Sequence, residues 1–270
     1  MYTLVPGLLA ILLYLLASGL LAVRLSRGKA DTNTRPPVIL LIGWAALLAH
    51  GALLYPSIIE PGGLNLGFFN AASLVALITV ALLLLAAFRE PVENLGIPVF
   101  PVAAISIGLV LLYPAQHLIT STTHGWQLDA HILISLLAYS ILGLAALQAL
   151  LLAIQEYHLH SRQPGGIVRA LPPLQTMESL MFRMIGIGFV LLTLSLVTGM
   201  LFLEDIFAQH LVHKTVLSFI AWGVFALLLW GRWRFGWRGR VAIRWTIGGF
   251  LFLMLAYFGS KMVLELILNR

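Results

Sequence analysis

Eight apolar runs, each long enough to cross a bilayer and joined by short connections, account for nearly all of this 270-residue chain. They lie near 3–24, 37–55, 69–88, 96–115, 129–156, 181–203, 212–231 and 243–266. A span takes about 20 apolar residues. Within lipid, no water is present to bond the backbone, so each run must satisfy its own N–H and C=O groups as a helix. With 60% hydrophobic and only 10% charged residues, the chain has too little polar surface for a soluble fold of this size. The expected fold is all-α: a polytopic membrane helix bundle of about eight transmembrane helices, with residues 1–270 as a single membrane domain. Pro98 and Pro101 fall in the first turns of the fourth run, where a helix tolerates proline. The first run lacks a basic n-region and a small-residue cleavage site, so it reads as a retained span.

Basic residues orient the bundle. All of the 16 Lys and Arg except Lys214, Lys261 and Arg270 lie in or beside the connections after the first, third, fifth and seventh runs. Cytoplasmic loops carry such an excess, so both termini are expected outside. The net charge of +6 then reflects a basic rim facing anionic headgroups, and the expected partner is the lipid bilayer, not nucleic acid. The connection at roughly 157–180 holds Pro164-Gly165-Gly166 and Pro172-Pro173. It reads as an irregular connector dividing five spans from three. No sequence repeat suggests an inverted-repeat transporter.

Of the eight histidines, all but His158 and His160 fall on the face expected outside. His117, His124 and His210 belong to short loops, His131 and His213 to first turns of spans, and His50 to the interior of a span. Imidazole is costly at the edge of lipid and is the commonest metal ligand, so this grouping marks a candidate site. His131 opens the fifth span, with Asp129 and Ser135 as candidates to orient its second ring nitrogen. His50 is flanked by Gly51 and alanines, which would let a flat group or another helix approach closely. His213 shares a face with His210 where the seventh helix has already begun at 210, and Lys214 beside it would attract an anion. Trp126, just ahead of His131, completes the candidate set. Each has a plainer reading as an interfacial anchor, a helix cap or a neutral imidazole bonded to a neighbouring helix. His158 and His160, in the polar stretch 157–163, carry no assigned role.

Several chemistries are excluded. With no cysteine, disulfides, thiolate redox chemistry, Cys-ligated metal and covalent haem attachment all fall away. There is no GxSxG, HExxH, Walker A or GxGxxG pattern, and Glu204-Asp205 is a lone acidic pair. The spans hold almost no acids or bases from which a channel or pump could build a relay. The aromatic and basic run from Trp222 through Gly231-Arg-Trp-Arg-Phe-Gly-Trp-Arg-Gly-Arg240 reads as an interfacial belt with positive-inside anchoring.

Five stretches resemble the cytochrome c assembly family of CcsA/CcmC-type haem-handling membrane proteins. They are Met177 to Gly199, Asp129 to Tyr139, Lys214 to Trp222, and the pair Gly236-Trp-Arg-Gly-Arg240 with Ala256-Tyr-Phe-Gly-Ser260. The likeness is densest over roughly 129–260, and in length and ending the chain is most similar to the YpjD/HemX-like branch. The resemblance implies a bacterial inner-membrane protein binding haem b non-covalently at the outer, periplasmic face, with cytochrome c maturation proteins or another membrane protein as partners. His131 is the position that matches a family ligand, with His50 or His213 as a sixth ligand or five-coordinate iron as the alternatives. Two departures stand out. The family's tryptophan-rich segment would lie between Gly199 and Lys214, where this chain has no tryptophan, and 264–270 lacks a second outer-face histidine.

The leading expectation is therefore a haem carrier, sensor or accessory rather than a full haem lyase, and not an enzyme. In that reading His131 and His50 are candidate axial ligands, and His213, Lys214 and Trp126 contribute to the haem site. A b-type electron carrier using His50 with His131, and a haem-free partner or regulator of another membrane system, are the alternatives.

Overall fold

The computed structural model describes residues 3–26, 37–60, 63–113, 119–120, 126–160, 171–202 and 212–259. Among the described residues eight helical spans are long and apolar enough to cross a membrane, the fourth and eighth counted with their flanking turns as Glu93–Leu112 and Gly239–Gly259: α1 (Leu4–Ser26), α2 (Pro37–Ile58), α3 (Phe68–Ala86), α4 (Gly96–Leu112), α5 (Trp126–His160), α6 (Leu174–Phe202), α7 (Val212–Phe235) and α8 (Gly239–Met254). A 3-10 turn, Glu93–Leu95, leads into α4, and a π turn, Leu255–Gly259, extends α8. Three two-residue strands, β1 (Ile59–Glu60), β2 (Gly63–Leu64) and β3 (Ile119–Thr120), pair antiparallel in the order β1-β2-β3. Hydropathy gave no sign of this small sheet.

The spans agree with the apolar runs to within about four residues at each described end except the start of α6, with α7 running on to Phe235 and α8 starting at Gly239. The helix of α5 runs on through His158 and His160, which the sequence reading placed in a loop, and α6 begins at Leu174 rather than near 181. Polar residues in these turns mimic a loop by composition. Buried partners supplied by distant residues keep them helical, as Glu178 shows below.

The chain forms two compact units, Met1–Thr122 with His158–Pro172, and Thr123–Tyr157 with Pro173–Arg270. The break thus falls after four helices, whereas the sequence reading placed it after five. α5 belongs with the last three helices because its contacts are there.

In the first unit α1 packs on α2 and α4, and α3 packs on α2 and α4. Ala10, Tyr14, Ala17 and Leu21 recur at helical spacing on one buried face of α1, while Leu8, Leu12 and Leu16 face outward. In a membrane both faces are apolar, so what distinguishes the packed face is small residues that admit a neighbouring backbone. Pro101 lies inside α4. It has no N–H to offer the carbonyl four residues back, that of Ile97. The Ser18 hydroxyl of α1 donates to that freed carbonyl at 2.9 Å, so a defect in one helix becomes a tie to another.

In the second unit four contacts pair α5 with α6: His131 with Thr198, Ser135 with Ser195, Leu142 with the close-approach Gly188, and Gln148 with the Met177 carbonyl. The α5 number rises as the α6 number falls, so the two helices run antiparallel. α7 packs on α6 and α8, and the Trp222 indole donates to Thr193 Oγ1 at 2.9 Å while stacking on Phe189.

Candidate functional site

One end of the second unit carries His131. It lies in the second turn of α5, half-buried. Its Nδ1 is 3.0 Å from Thr198 Oγ1 on α6. Thr198 has a single hydroxyl hydrogen, directed at the carbonyls of Leu194 (2.8 Å) and Ser195 (3.1 Å) within its own helix. With that hydrogen on a helix carbonyl, the threonine oxygen accepts from Nδ1–H, the tautomer in which the Nε2 lone pair is available. Among the described residues the ring's side-chain hydrogen-bond partner is Thr198, and the Ser195 backbone adds a second bond. A histidine held by Nδ1–H, with Nε2 open, is in the tautomer that binds a metal.

The orienting group was expected to be Asp129 or Ser135, and it is neither. Asp129 is two residues from His131 and so projects from another side of the helix. Ser135, one turn on, donates instead to the His131 carbonyl at 2.7 Å and pairs with Ser195 Oγ at 2.7 Å. Gly199 lies against the ring, where an added Cβ would come 3.0 Å from His131 Cε1. The absence of a side chain there lets imidazole and α6 backbone touch.

The other expected residues are not gathered around His131. Trp126 is 75% exposed at the start of α5. Five helical residues separate it from His131, which puts it on a different face. His213 is exposed in the first turn of α7, and Lys214 beside it is half-buried. Neither Trp126 nor His213 makes a hydrogen bond or ring contact with His131 among the described residues. His117, His124 and His210 lie outside the described residues.

His50 sits in the core of the first unit at 0% exposure. The Tyr14 hydroxyl of α1 is 3.3 Å from its Nδ1, and Ser73 Oγ of α3 is 2.8 Å from its Nε2. Ser106 of α4 extends the chain, its Oγ lying 3.3 Å from Ser73 Oγ and donating to the Ala103 carbonyl at 2.8 Å. One residue from each of the four helices thus forms a continuous buried polar path. Both ring nitrogens of His50 are occupied by protein hydroxyls, which is the plain reading of an intramembrane imidazole bonded to its neighbours. Tyr14, Ser73 and Ser106 were not singled out from the sequence, since a lone hydroxyl in an apolar run carries no local signal of its partner.

At the opposite end of the second unit stands a cluster around Glu178, whose side chain is 8% exposed. Arg232 donates to its carboxylate at 2.8 Å, and Arg238 lies 3.3 Å away. Arg232 also donates to the Trp237 carbonyl and lies over the Phe182 ring, 4.6 Å from its centroid. Arg240 pairs with Glu156 of α5 at 3.2 Å. The turn joining α7 to α8 is built for this. Gly236, with φ of 69°, caps α7 by donating to the Arg232 carbonyl at 3.1 Å. Trp237 then folds over Gly231, where any Cβ would collide with the indole. The sequence reading took this run as an interfacial belt with positive-inside anchoring. The structure adds specific pairing to that role.

Among the described residues no three His, Asp or Glu side chains converge to hold a metal ion. A single imidazole with an open Nε2 suits a metal that brings its other ligands with it, as haem iron does in a porphyrin.

The sequence model described as "Cytochrome C assembly protein" matches residues 38–268. The chain belongs to this family. The Inner membrane protein YpjD of Escherichia coli K12 is 37% identical over 224 residues, covering 82% of this chain and 84% of that protein. Protein HemX of Brevibacillus brevis is 24% identical over 162 residues, 57% of this chain and 60% of its own. The Cytochrome c biogenesis protein CcsA of Lolium perenne is 29% identical over 91 residues, 33% of this chain and 28% of its own. No solved structure matches. As a member of the family, the chain is a multi-pass membrane protein whose match takes in α2 to α8, including both His50 and His131.

Proposed function

We propose that this protein is a non-covalent haem b carrier or accessory of the bacterial inner membrane, with His131 as the axial ligand at the periplasmic end of α5 and α6. One observation carries the reading: Thr198 Oγ1 lies 3.0 Å from His131 Nδ1, a contact that suits an imidazole presenting Nε2 to a metal. Family membership and the inner-membrane naming of the E. coli relative support it. The excess of basic residues at the Glu178 end of the second unit supports an outward-facing His131 end. When bound, haem supplies the iron and the flat apolar macrocycle. The chain's own residues supply the remainder: His131 ligates, Thr198 orients the imidazole, and Gly199 keeps the ring flush with α6. His213 and Lys214, on the same membrane face by alternation of the spans, suit a second ligand and a propionate contact. The tryptophan-poor stretch between Gly199 and Lys214 argues for holding haem rather than attaching it to an apocytochrome.

The b-type pairing of His50 with His131 finds no support at His50, whose two ring nitrogens are already taken. The test is an absorption spectrum of the detergent-purified protein, with haem added back, beside His131→Ala, Thr198→Val and His50→Leu. A Soret band lost in His131→Ala, weakened in Thr198→Val and kept in His50→Leu is the expected result. No band in the wild type, or loss only in His50→Leu, overturns the reading.

A further inference from the structure

The Glu178 end of the second unit sets a free cation beside an unfilled groove. Of the arginines there, Arg232 and Arg238 pair with Glu178, Arg240 pairs with Glu156, and Arg234 lies over the Phe235 ring outside the groove lining. Arg244, one turn further along α8, is exposed and has no carboxylate or hydrogen-bond partner among the described residues. It stands at the mouth of an open groove between α7 and α8, with a cavity volume of 210 Å³, lined by Val224, Trp245, Gly248 and Phe252. Arg244, Gly248 and Phe252 recur every fourth residue and form one stripe on α8. A Cβ at Gly248 would meet nothing within 4 Å. The groove is therefore a notch left by a missing side chain, not a product of tight packing. Trp245, stacked on Trp237, turns an indole toward the same mouth. The exposed Trp230 and Trp233 mark this end as the interfacial level.

A groove apolar along its length and cationic at its interfacial mouth has the complementarity of one ligand class. We infer that it binds one anionic phospholipid, its phosphate on Arg244 and an acyl chain laid along Gly248 toward Phe252. Guanidinium matches phosphate geometry through paired N–H groups, and Arg232, Arg238 and Arg240 are already occupied by carboxylates. Basic pockets between membrane helices recognise anionic headgroups on these grounds. The assignment is independent of haem, since it concerns α7 and α8, whereas His131 and Thr198 lie on α5 and α6.

The test is native mass spectrometry of the full chain titrated with phosphatidylglycerol and, separately, phosphatidylcholine. Wild type is expected to hold one phosphatidylglycerol about five-fold more tightly than phosphatidylcholine, the preference one interfacial cation supplies. Arg244→Gln removes that preference, and Arg244→Lys keeps most of it. Arg240→Gln, an equal loss of charge outside the groove, leaves it intact. Gly248→Leu fills the notch and weakens both lipids together, with circular dichroism confirming that the helices remain. Equal losses in Arg244→Gln and Arg240→Gln would mean a diffuse charge effect and overturn the site. So would unchanged binding in Gly248→Leu.

Discussion

Removing Arg232 should cost the second unit far more than removing Arg238, although both touch the same carboxylate. Glu178 is 8% exposed at its side chain and accepts at 2.8 Å from an arginine that is itself only 28% exposed. Arg238 is 66% exposed and stands 3.3 Å away. Breaking a buried pair leaves an uncompensated charge, at a cost of roughly 3–5 kcal/mol, whereas an exposed pair contributes about 0–1 kcal/mol. Arg238 still offsets part of the orphaned charge, so Arg232→Met is expected to cost about 3 kcal/mol. It also loses the Phe182 contact and the bond to the Trp237 carbonyl. Arg238→Gln should cost under about 1 kcal/mol. The double variant Arg232→Met/Glu178→Leu removes both charges together and should return to within about 1 kcal/mol of wild type. Reversible unfolding in mixed detergent micelles, followed by circular dichroism, gives all three values. Equal costs for the two arginines, or a double variant no better than the sum of its parts, would refute the claim that burial governs this cluster.

Three further outcomes follow from named contacts. Ser18→Ala should destabilise the first unit by about 1 kcal/mol through the orphaned Ile97 carbonyl, and adding Pro101→Ala should recover that loss by restoring the intrahelical bond; both are read by the same unfolding assay. His50→Leu strands the Tyr14 hydroxyl and the near side of Ser73, with an expected cost of about 2 kcal/mol and an unchanged Soret band. Gly199→Val pushes a side chain into the His131 ring, so haem affinity measured by Soret titration should fall about tenfold or more, the scale seen when an imidazole's supporting contacts are disturbed.

Much of the fold was legible because hydropathy is a local property. Each span announces itself within its own twenty or so residues. What stayed hidden depends on residues far apart in the chain. The starting turns of α6 look like loop because Glu178 is charged, and only Arg232, 54 residues on, makes its burial tolerable. His131 was visible as an imidazole at a span start, but its orienting group was not. Thr198 lies 67 residues away, while the nearer Asp129 and Ser135 were the local guesses. His50 stood out as a polar group in hydrocarbon, yet its partners are two unremarkable hydroxyls on other helices. The basic aromatic turn did hold a clue in Gly236 and Gly239, spaced within a run of arginines and followed by α8. Two positive-φ residues so close together signal a built turn more than a loose anchor.

The hydroxyl–imidazole path through the first unit also bears on how the protein is made. Tyr14 enters the membrane on the first helix, and its acceptor His50 arrives with the second, Ser73 with the third and Ser106 with the fourth. Until the third helix is in place, one ring nitrogen of His50 faces hydrocarbon unpaired, at a cost of about 1–3 kcal/mol, and the fourth helix then adds the Ser106 contact to Ser73. Each newly inserted helix therefore has a specific vertical position at which it stops sliding, and a nascent chain halted after α2 would stay loosely docked. Correct assembly of the four is in this way checked from within, by whether the last serine reaches the chain begun by the first tyrosine.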